Sequence, residues 1–371
     1  MAEDEDQDWP EVNVVMAMYN EESVIKATLQ SIVDSDYPRG KLHVFVGSDN
    51  STDNSNKFVE ELASEYPFVK LKVFPGRNGK INIVNHLVNR ISDEDSVLIL
   101  CDANVVWAPD LAKNLARHFT DEKVGIVASN VLDRDISCRG IAAEEDAYVN
   151  FENRVKHAEG KLWGRMMGAF GACYALRRSV YEPVPGDYNV DDFFETLACY
   201  EKGYSGIVDP EAICYESVSE EISEEFRRKK RISKGNFQNL RHFFTYLLPW
   251  NCGLPTFFVF WSHKGIRWFG PVLLYCVLVT GISLAWNSHW IYAVAVLGMM
   301  ISVLMAFADK WMEDYGKGDR LRLLKFVRYF YVMNWALFHG GVEFCKGVSD
   351  SVWEPTRRVV AGVNVEGDSP A

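Results

Sequence analysis

Val12-Asn13-Val14-Val15-Met16-Ala17-Met18-Tyr19-Asn20-Glu21-Glu22 is the stretch whose reading decides the fold. Val12–Met18 is apolar almost without interruption and stops at a polar loop, the pattern of a strand buried on both faces of a parallel sheet. Ile25, Leu29, Ile32 and Val33 follow at helical spacing. The unit then repeats. Leu42–Val46, Val69–Phe74, Ser96–Leu100 and Val124–Ser129 read as strands, with helices over Ser55–Glu65, Lys80–Asn89 and Pro109–Phe119 between them. Asp53 is placed to cap the second helix. Pro75-Gly76-Arg77-Asn78-Gly79 separates the third strand from the helix after it. Strands alternating with helices predict an α/β fold with a parallel sheet covered on both faces. Beyond it, Glu144–His157, Asp191–Lys202 and Ile222–Phe244 read as helices, and Gly168–Arg177 as a glycine-rich loop entering a strand.

The chain has 371 residues, 48% of them hydrophobic, and a net charge of −12. That charge argues against a general nucleic-acid binder, which needs a positive field for phosphates. Met1–Asp8 is an acidic run expected to be disordered. It holds no basic segment followed by an apolar one, so no secretory leader is expected. The eight cysteines form no C-x-x-C pair, and Cys101 and Cys173 lie in apolar runs. Reduced, buried thiols of a cytosol-facing protein are the expectation.

Charge thins out late in the chain. Trp268–Trp286 and Trp290–Ala308 contain no charged residue, and at ~1.5 Å per residue each is long enough to cross a bilayer. Tryptophans stand at both ends of the first and at the start of the second, as in an interfacial belt. The link over 287–289 makes them a hairpin, with a pair of buried core helices as the competing reading. Lys264 and Arg267 on one flank, and Lys310, Lys317, Arg320, Arg322, Lys325 and Arg328 on the other, place both flanks in the cytoplasm. Val327–Cys345 is apolar but contains Arg328, His339 and Glu343; a weaker span, a re-entrant piece and an interfacial helix are all open. A further crossing within Leu247–Trp261 would be one way to keep the C-terminal tail cytoplasmic.

Three aspartates stand where strand-like runs give way to loops or helices: Asp49 in S-D-N-S-T-D, Asp102 in L-C-D-A-N and Asp192 in V-D-D-F-F. Loops at the carboxyl ends of strands are where open α/β sheets bind nucleotides, and carboxylates there suit hard cations. Asp49 and Asp53 could equally cap turns. The adjacent carboxylates of Asp191 and Asp192 repel, which raises one pKa toward a value suited to proton abstraction; a helix N-terminus pulls the other way. A double helix cap is the plainer alternative. Arg227-Arg228-Lys229-Lys230-Arg231 can face anionic lipid head groups, clamp a pyrophosphate, or do both from different helix faces.

The order A-M-Y-N-E-E, S-D-N-S-T-D, G-K-x-x-x-V-N, C-D-A-N, G-A-x-x-A-x-R-R, V-D-D and R-x-x-R-I before apolar helices resembles the family-2 glycosyltransferases. The likeness, over roughly Val12 to Arg358, is closest to the membrane-embedded branch of hyaluronan, chitin and cellulose synthases. It implies a GT-A-type fold with a mixed, mainly parallel sheet, followed by an α-helical membrane part. It implies that Tyr19, Glu21 and Asp49 hold the uridine of a UDP-sugar and that Lys80 lies near the donor. Asp102 and Asn104 would bind Mg²⁺ or Mn²⁺ with the diphosphate, Asp192 would be the base, and Arg231 would contact the pyrophosphate. Asp191, with Trp353, Thr356 and Arg357 of a Trp-Glu-Pro-Thr-Arg tail, would serve the acceptor or gate the site. Departures from the pattern are Asn104 in place of a carboxylate, Val190-Asp191 in place of Thr-Glu, Arg228 in place of Gln and Ile232 in place of the acceptor-stacking Trp.

The expectation is thus a multi-pass inner-membrane enzyme with a cytoplasmic catalytic part. Residues 1–10 form the acidic tail, 11–248 the GT-A part, 249–346 the membrane or interfacial helices (268–286, 290–308 and a third at 327–345) and 347–371 the C-terminal tail. Its partners would be a UDP-sugar, a saccharide or lipid-linked acceptor and the bilayer, with no nucleic acid. Transfer would invert the anomeric centre and extend a poly- or oligosaccharide. Single addition to a lipid, and a non-catalytic nucleotide-sugar-binding subunit, are the rivals.

Overall fold

Every residue of β1 (Val12–Met18) is buried, as its unbroken apolar run requires. In the computed structural model, which describes residues 8–133, 142–216, 222–287, 290–315 and 321–347, β1 lies inside an eight-stranded sheet. The other strands are β2 (Leu42–Ser48), β3 (Val69–Val73), β4 (Val97–Cys101), β5 (Val106–Trp107), β6 (Val124–Asp133), β7 (Cys173–Arg177) and β8 (Ser205–Glu216). Their order is β3-β2-β1-β4-β7-β6-β8-β5. The helices α1 (Ile25–Val33), α2 (Ser55–Glu65), α3 (Lys80–Val88), α4 (Leu111–Ala116), α5 (Ala142–Trp163) and α6 (Asp191–Glu201) go with the sheet. Two apolar cores result, one holding Val15, Leu98 and Leu176, the other Val14, Val44 and Ile99. Alternate strand residues face opposite layers, so a strand covered on both sides must be apolar throughout.

The sheet is mixed rather than all parallel. β3, β2, β1 and β4 pair in parallel. β7 runs antiparallel between β4 and β6, and β8 is parallel to β6 but antiparallel to β5. β8 escapes the sequence reading because Asp209-Pro210 in its middle looks like a turn; the strand absorbs it as a register shift against β6 near Ala128/Asn130. The insertion of β7 returns the glycine-rich loop to the sheet's functional edge, where the Asp102 amide donates to the Ala172 carbonyl at 2.9 Å.

After α7 (Ile222–His242) come α8 (Pro249–Val259), a π turn over Phe260–Gly265, and α9 (Ile266–Trp268). Then follow α10 (Gly270–Asn287), α11 (Trp290–Asp314) and α12 (Arg322–Cys345). Among the described residues, α11 is long and apolar enough to cross a membrane by itself; α8–α9 with α10 qualify only as a pair bent by 69°. Two expectations change here. Trp268 is not an interfacial tryptophan but 5% exposed, packed edge-on to Phe193 and Phe260 at 5.2 and 5.5 Å. Leu247–Trp261 is not one continuous straight helix, since Gly253 breaks it at φ 78° and Val259 and Phe260 enter the core. In both places α/β-layer packing takes up apolar side chains that the sequence alone assigns to lipid.

α12 packs along α7. The Ser233 hydroxyl donates to the Leu337 carbonyl at 2.8 Å, and Gly340 leaves no room for a Cβ against the Lys230 carbonyl. The polar residues that sit oddly in an apolar segment have partners: Arg328 with Asp309 at 3.2 Å, Glu343 with Lys230 at 2.6 Å, and the His339 ring against Phe226.

Candidate active site

The turns after β1 and β2 are shaped by asparagines. Asn20 and Asn50 have φ of 52° and 61°, a left-handed conformation that Asn tolerates far better than most residues. The Asn20 side-chain carbonyl accepts from the Thr52 amide at 2.8 Å, and the Asn20 backbone amide donates to the Ser51 hydroxyl at 3.1 Å. Glu21 is buried, with its backbone amide on the Ser55 hydroxyl at 2.8 Å. Asp53 accepts from the Ser55 amide at 3.0 Å, at the head of α2.

Asp49 is only 2% exposed. Its carboxylate accepts from the amides of Asn78 (2.5 Å) and Gly79 (3.1 Å) and from Arg77 Nε (3.0 Å). The Arg77 guanidinium lies over the Tyr19 ring, 3.4 Å from its centroid. These contacts anchor the 75–79 loop, and Gly79, at φ 83°, aims Lys80 inward as the first residue of α3.

Lys80 Nζ bridges Asp102 (2.8 Å) and Asp191 (3.1 Å). Burial works against its charge, but the two carboxylates outweigh it and its pKa is raised. Burial likewise pushes Asp191 up, and Lys80 more than reverses the effect, so Asp191 is held below the ordinary carboxylate range. Among the described residues, Asp192 forms no ion pair. Burial first, and the neighbouring Asp191 second, push it up to about 6. Its Oδ1 accepts from the Phe193 amide at 2.7 Å. A Cβ on Gly171 would stand 3.2 Å from Asp192 Oδ2, so the glycine keeps this carboxylate open.

These residues line one cavity of about 450 Å³. It joins Lys80, Asp102, Asn104, Asp191, Asp192 and Arg231; Tyr19, Glu21 and Asp49 are not on its wall. In the basic run of α7, Glu224 pairs with Arg227, and Glu225 with Arg228 and Lys229. Arg231 forms no ion pair among the described residues; crowding by protein lowers its pKa, yet its side chain stays open to the cavity. Trp353, Thr356 and Arg357 lie outside the described residues.

The sequence reading missed Glu216. The final residue of β8, it faces the cavity and accepts from Asn104 Nδ2 at 3.2 Å. Once β8 is missed, nothing local marks it. Asp102, Asn104 and Glu216 are hard oxygen donors, a set that suits Mg²⁺ or Mn²⁺ with phosphate oxygens completing the shell. Among the described residues, no three His, Cys, Asp or Glu side chains close around a point as a complete cage.

Carboxylates and cations gathered at strand ends of a mixed α/β sheet stand where such sheets bind nucleotides. Residues 13–184 match the family model described as Glycosyl transferase family 2. The probable glycosyltransferase YdaM of Bacillus subtilis (strain 168) is 25% identical over 320 residues, 80% of this chain and 72% of that protein. An N-acetylglucosaminyltransferase of Rhizobium meliloti (strain 1021) is 24% identical over 289 residues, 74% of this chain and 65% of the relative. The mannosyltransferase PcManGT from Pyrobaculum calidifontis, solved with GDP-Man and Mn²⁺, superposes with a TM-score of 0.59 at 21% identity, covering 91% of this chain and 87% of its own. The fold is therefore GT-A-like. Over residues 13–184 the chain is similar to the family-2 glycosyltransferases, and it is a glycosyltransferase that uses a nucleotide sugar.

Proposed function

We propose that the chain is a membrane-bound glycosyltransferase that moves a sugar from a UDP-sugar to an acceptor hydroxyl with inversion, extending an oligo- or polysaccharide. One observation carries this reading: adjacent carboxylates in a single cavity are driven apart in pKa, Asp191 down and Asp192 up to about 6. Paired carboxylates with divided protonation mark acid–base roles.

In this reading Asp192 takes the proton from the acceptor hydroxyl as its oxygen attacks the anomeric carbon. The bond from that carbon to the diphosphate breaks, and UDP leaves with the electron pair. One displacement inverts the centre. Lys80 and Arg231 stabilise the growing charge on the leaving group. A divalent cation held by Asp102 and Asn104, when bound, would add to that neutralisation. Asp49 acts indirectly, through the 75–79 loop that presents Lys80. The sheet part over 11–248 would be the catalytic unit and 249–346 its membrane or interfacial part, with α11 the best candidate span. A lipid-linked acceptor is the second reading. It is favoured by the apolar wall that Trp268 and, from α12, Tyr329, Met333 and Leu337 give the cavity.

UDP release from purified protein with a panel of UDP-sugars, with and without Mg²⁺ or Mn²⁺, tests the function. UDP-N-acetylglucosamine is the first donor to try, given the named activity of the Rhizobium meliloti relative, with GDP-mannose as the competitor. No nucleotide release from any donor would leave only a binding role.

Two further outcomes are expected. Because Asp192 works deprotonated, kcat/KM should climb as pH rises through about 6 and level off above it. A flat profile across that region would remove Asp192 as the base. Activity should vanish in excess EDTA and in Asp102→Ala. Asn104→Asp should stay active with tighter metal binding, since it adds charge to a hard-cation site; full activity in EDTA would contradict the metal assignment.

A further inference from the structure

Lys156, on α5, has no place in the donor chemistry. It is 2% exposed, lines the cavity, and carries its ammonium 3.4 Å from the centroid of the Phe170 ring. Among the described residues it has neither a hydrogen bond nor an ion pair; the ring face is its polar contact. Its cationic neighbours differ. Lys264 and Arg267 both bind Glu152, Lys264 at 2.8 Å. A buried ammonium with no counter-ion is costly, and an aromatic face offsets only part of that cost.

The charges that act most strongly on Lys156 are Lys264, Glu152, Asp192 and Arg267. Those that act on Arg231 are Asp102, Asp191, Arg228 and Asp192. Asp192 therefore acts on both Lys156 and Arg231, and all three line the same cavity. Around Lys156 the cations are Lys264 and Arg267 and the carboxylates are Glu152 and Asp192, while the nearby Glu159 is held by His263 at 2.7 Å. Burial, with Lys264 beside it, draws the Lys156 pKa down to about 7, and an anion brought next to it would favour the charged form and offset that shift.

We propose that Lys156 is the anchor of an anion subsite for the acceptor: the molecule whose hydroxyl meets Asp192 also carries a carboxylate or phosphate that binds the Lys156 ammonium. This rests on the reading of Asp192 as the base that marks the acceptor side. It sharpens that reading from a generic hydroxyl acceptor to an anionic one, either a uronate-bearing saccharide or a phosphate-bearing lipid. The apolar wall of Trp268, Tyr329, Met333 and Leu337 suits the remainder of an amphiphile.

The test uses the full chain in neutral detergent and measures four affinities: for UDP, octyl phosphate, octyl β-D-glucuronide and neutral octyl β-D-glucoside. The anionic probes should bind better than the glucoside. Lys156→Gln should weaken them by ~10- to 100-fold, the range for loss of a charged hydrogen bond. UDP and glucoside binding should not change, and Lys156→Arg should recover most of the anion affinity. Lys156→Gln should melt close to the wild type, because it removes a buried charge that forms no ion pair among the described residues. The stronger of the two anionic probes identifies the source of the anion. Anionic probes that bind no better than the glucoside, or that bind Lys156→Gln as well as the wild type, overturn the proposal. Failure of the wild type to bind UDP would instead overturn the donor reading, while dependence of the anionic probes on Lys156 would still establish the subsite.

Discussion

Asp192→Asn should lower turnover by ~10²–10⁴-fold, the usual cost of removing a general base, and leave UDP affinity close to wild type. Asn is nearly isosteric and keeps an oxygen for the Phe193 amide that Asp192 now binds at 2.7 Å. It also removes the repulsion between neighbouring carboxylates, so the fold should not suffer. What disappears is the proton acceptor. Asp191 is a poor substitute, because Lys80 holds it at 3.1 Å and lowers its pKa. The measurement is kcat at saturating donor beside a UDP binding isotherm. Near-normal turnover with intact UDP binding would refute the assignment.

Glu152→Gln should cost ~3–5 kcal/mol of stability, the range for breaking a buried ion pair from one side. Glu152 is 2% exposed on its side chain and accepts from His263 Nε2 (3.1 Å), Lys264 (2.8 Å) and Arg267. Burial pushes its pKa up, but these partners override that and hold it well below the carboxylate range. Without the charge, Lys264 and Arg267 lose the carboxylate that pairs them, and Lys156 loses the larger of its two anionic influences. The segment from the π turn through α9, pinned to α5 by this cluster, should loosen first. Thermal unfolding in detergent and limited proteolysis after Lys264 and Arg267 read the two effects. An unchanged melting temperature would show that the cluster contributes little.

Much of the fold was legible locally. β1 and α2 lie where apolar runs and helical spacing put them, and β2, β3, β4 and α3 differ by a residue or two at their ends. Asp53 meets the head of α2 as expected. Described cysteines, including Cys101 and Cys173, are free thiols. Legibility failed where pairing partners are distant in sequence. The direction of β7 and the existence of β8 depend on strands that arrive from far along the chain, and Asp209-Pro210 hides β8 from any short window.

The site divides in the same way. That Asp102, Asp191 and Asp192 stand at the ends of runs was readable from the sequence, and the structure brings them into one cavity. Which of the two adjacent aspartates carries the raised pKa was not readable, because it is settled by Lys80 arriving on α3 beside Asp191. The basic run on α7 is another case. Its residues look equivalent in sequence, yet Glu224 and Glu225 take Arg227, Arg228 and Lys229, Glu343 takes Lys230, and among the described residues Arg231 meets the cavity without an ion pair.

Lys264, Arg267 and Trp268 have the composition of a membrane flank, but Glu152, Phe193 and Phe260 claim them for the α/β layer. By itself, the sequence determined most of the strands and helices, the turns between them, and the set of charged residues available for chemistry. Those depend on side-chain periodicity and backbone preference over a few neighbouring residues. Only the tertiary structure decided which charges neutralise one another and which remain for a ligand, because electrostatic energy depends on separation and burial in space, and neither is set by distance along the chain.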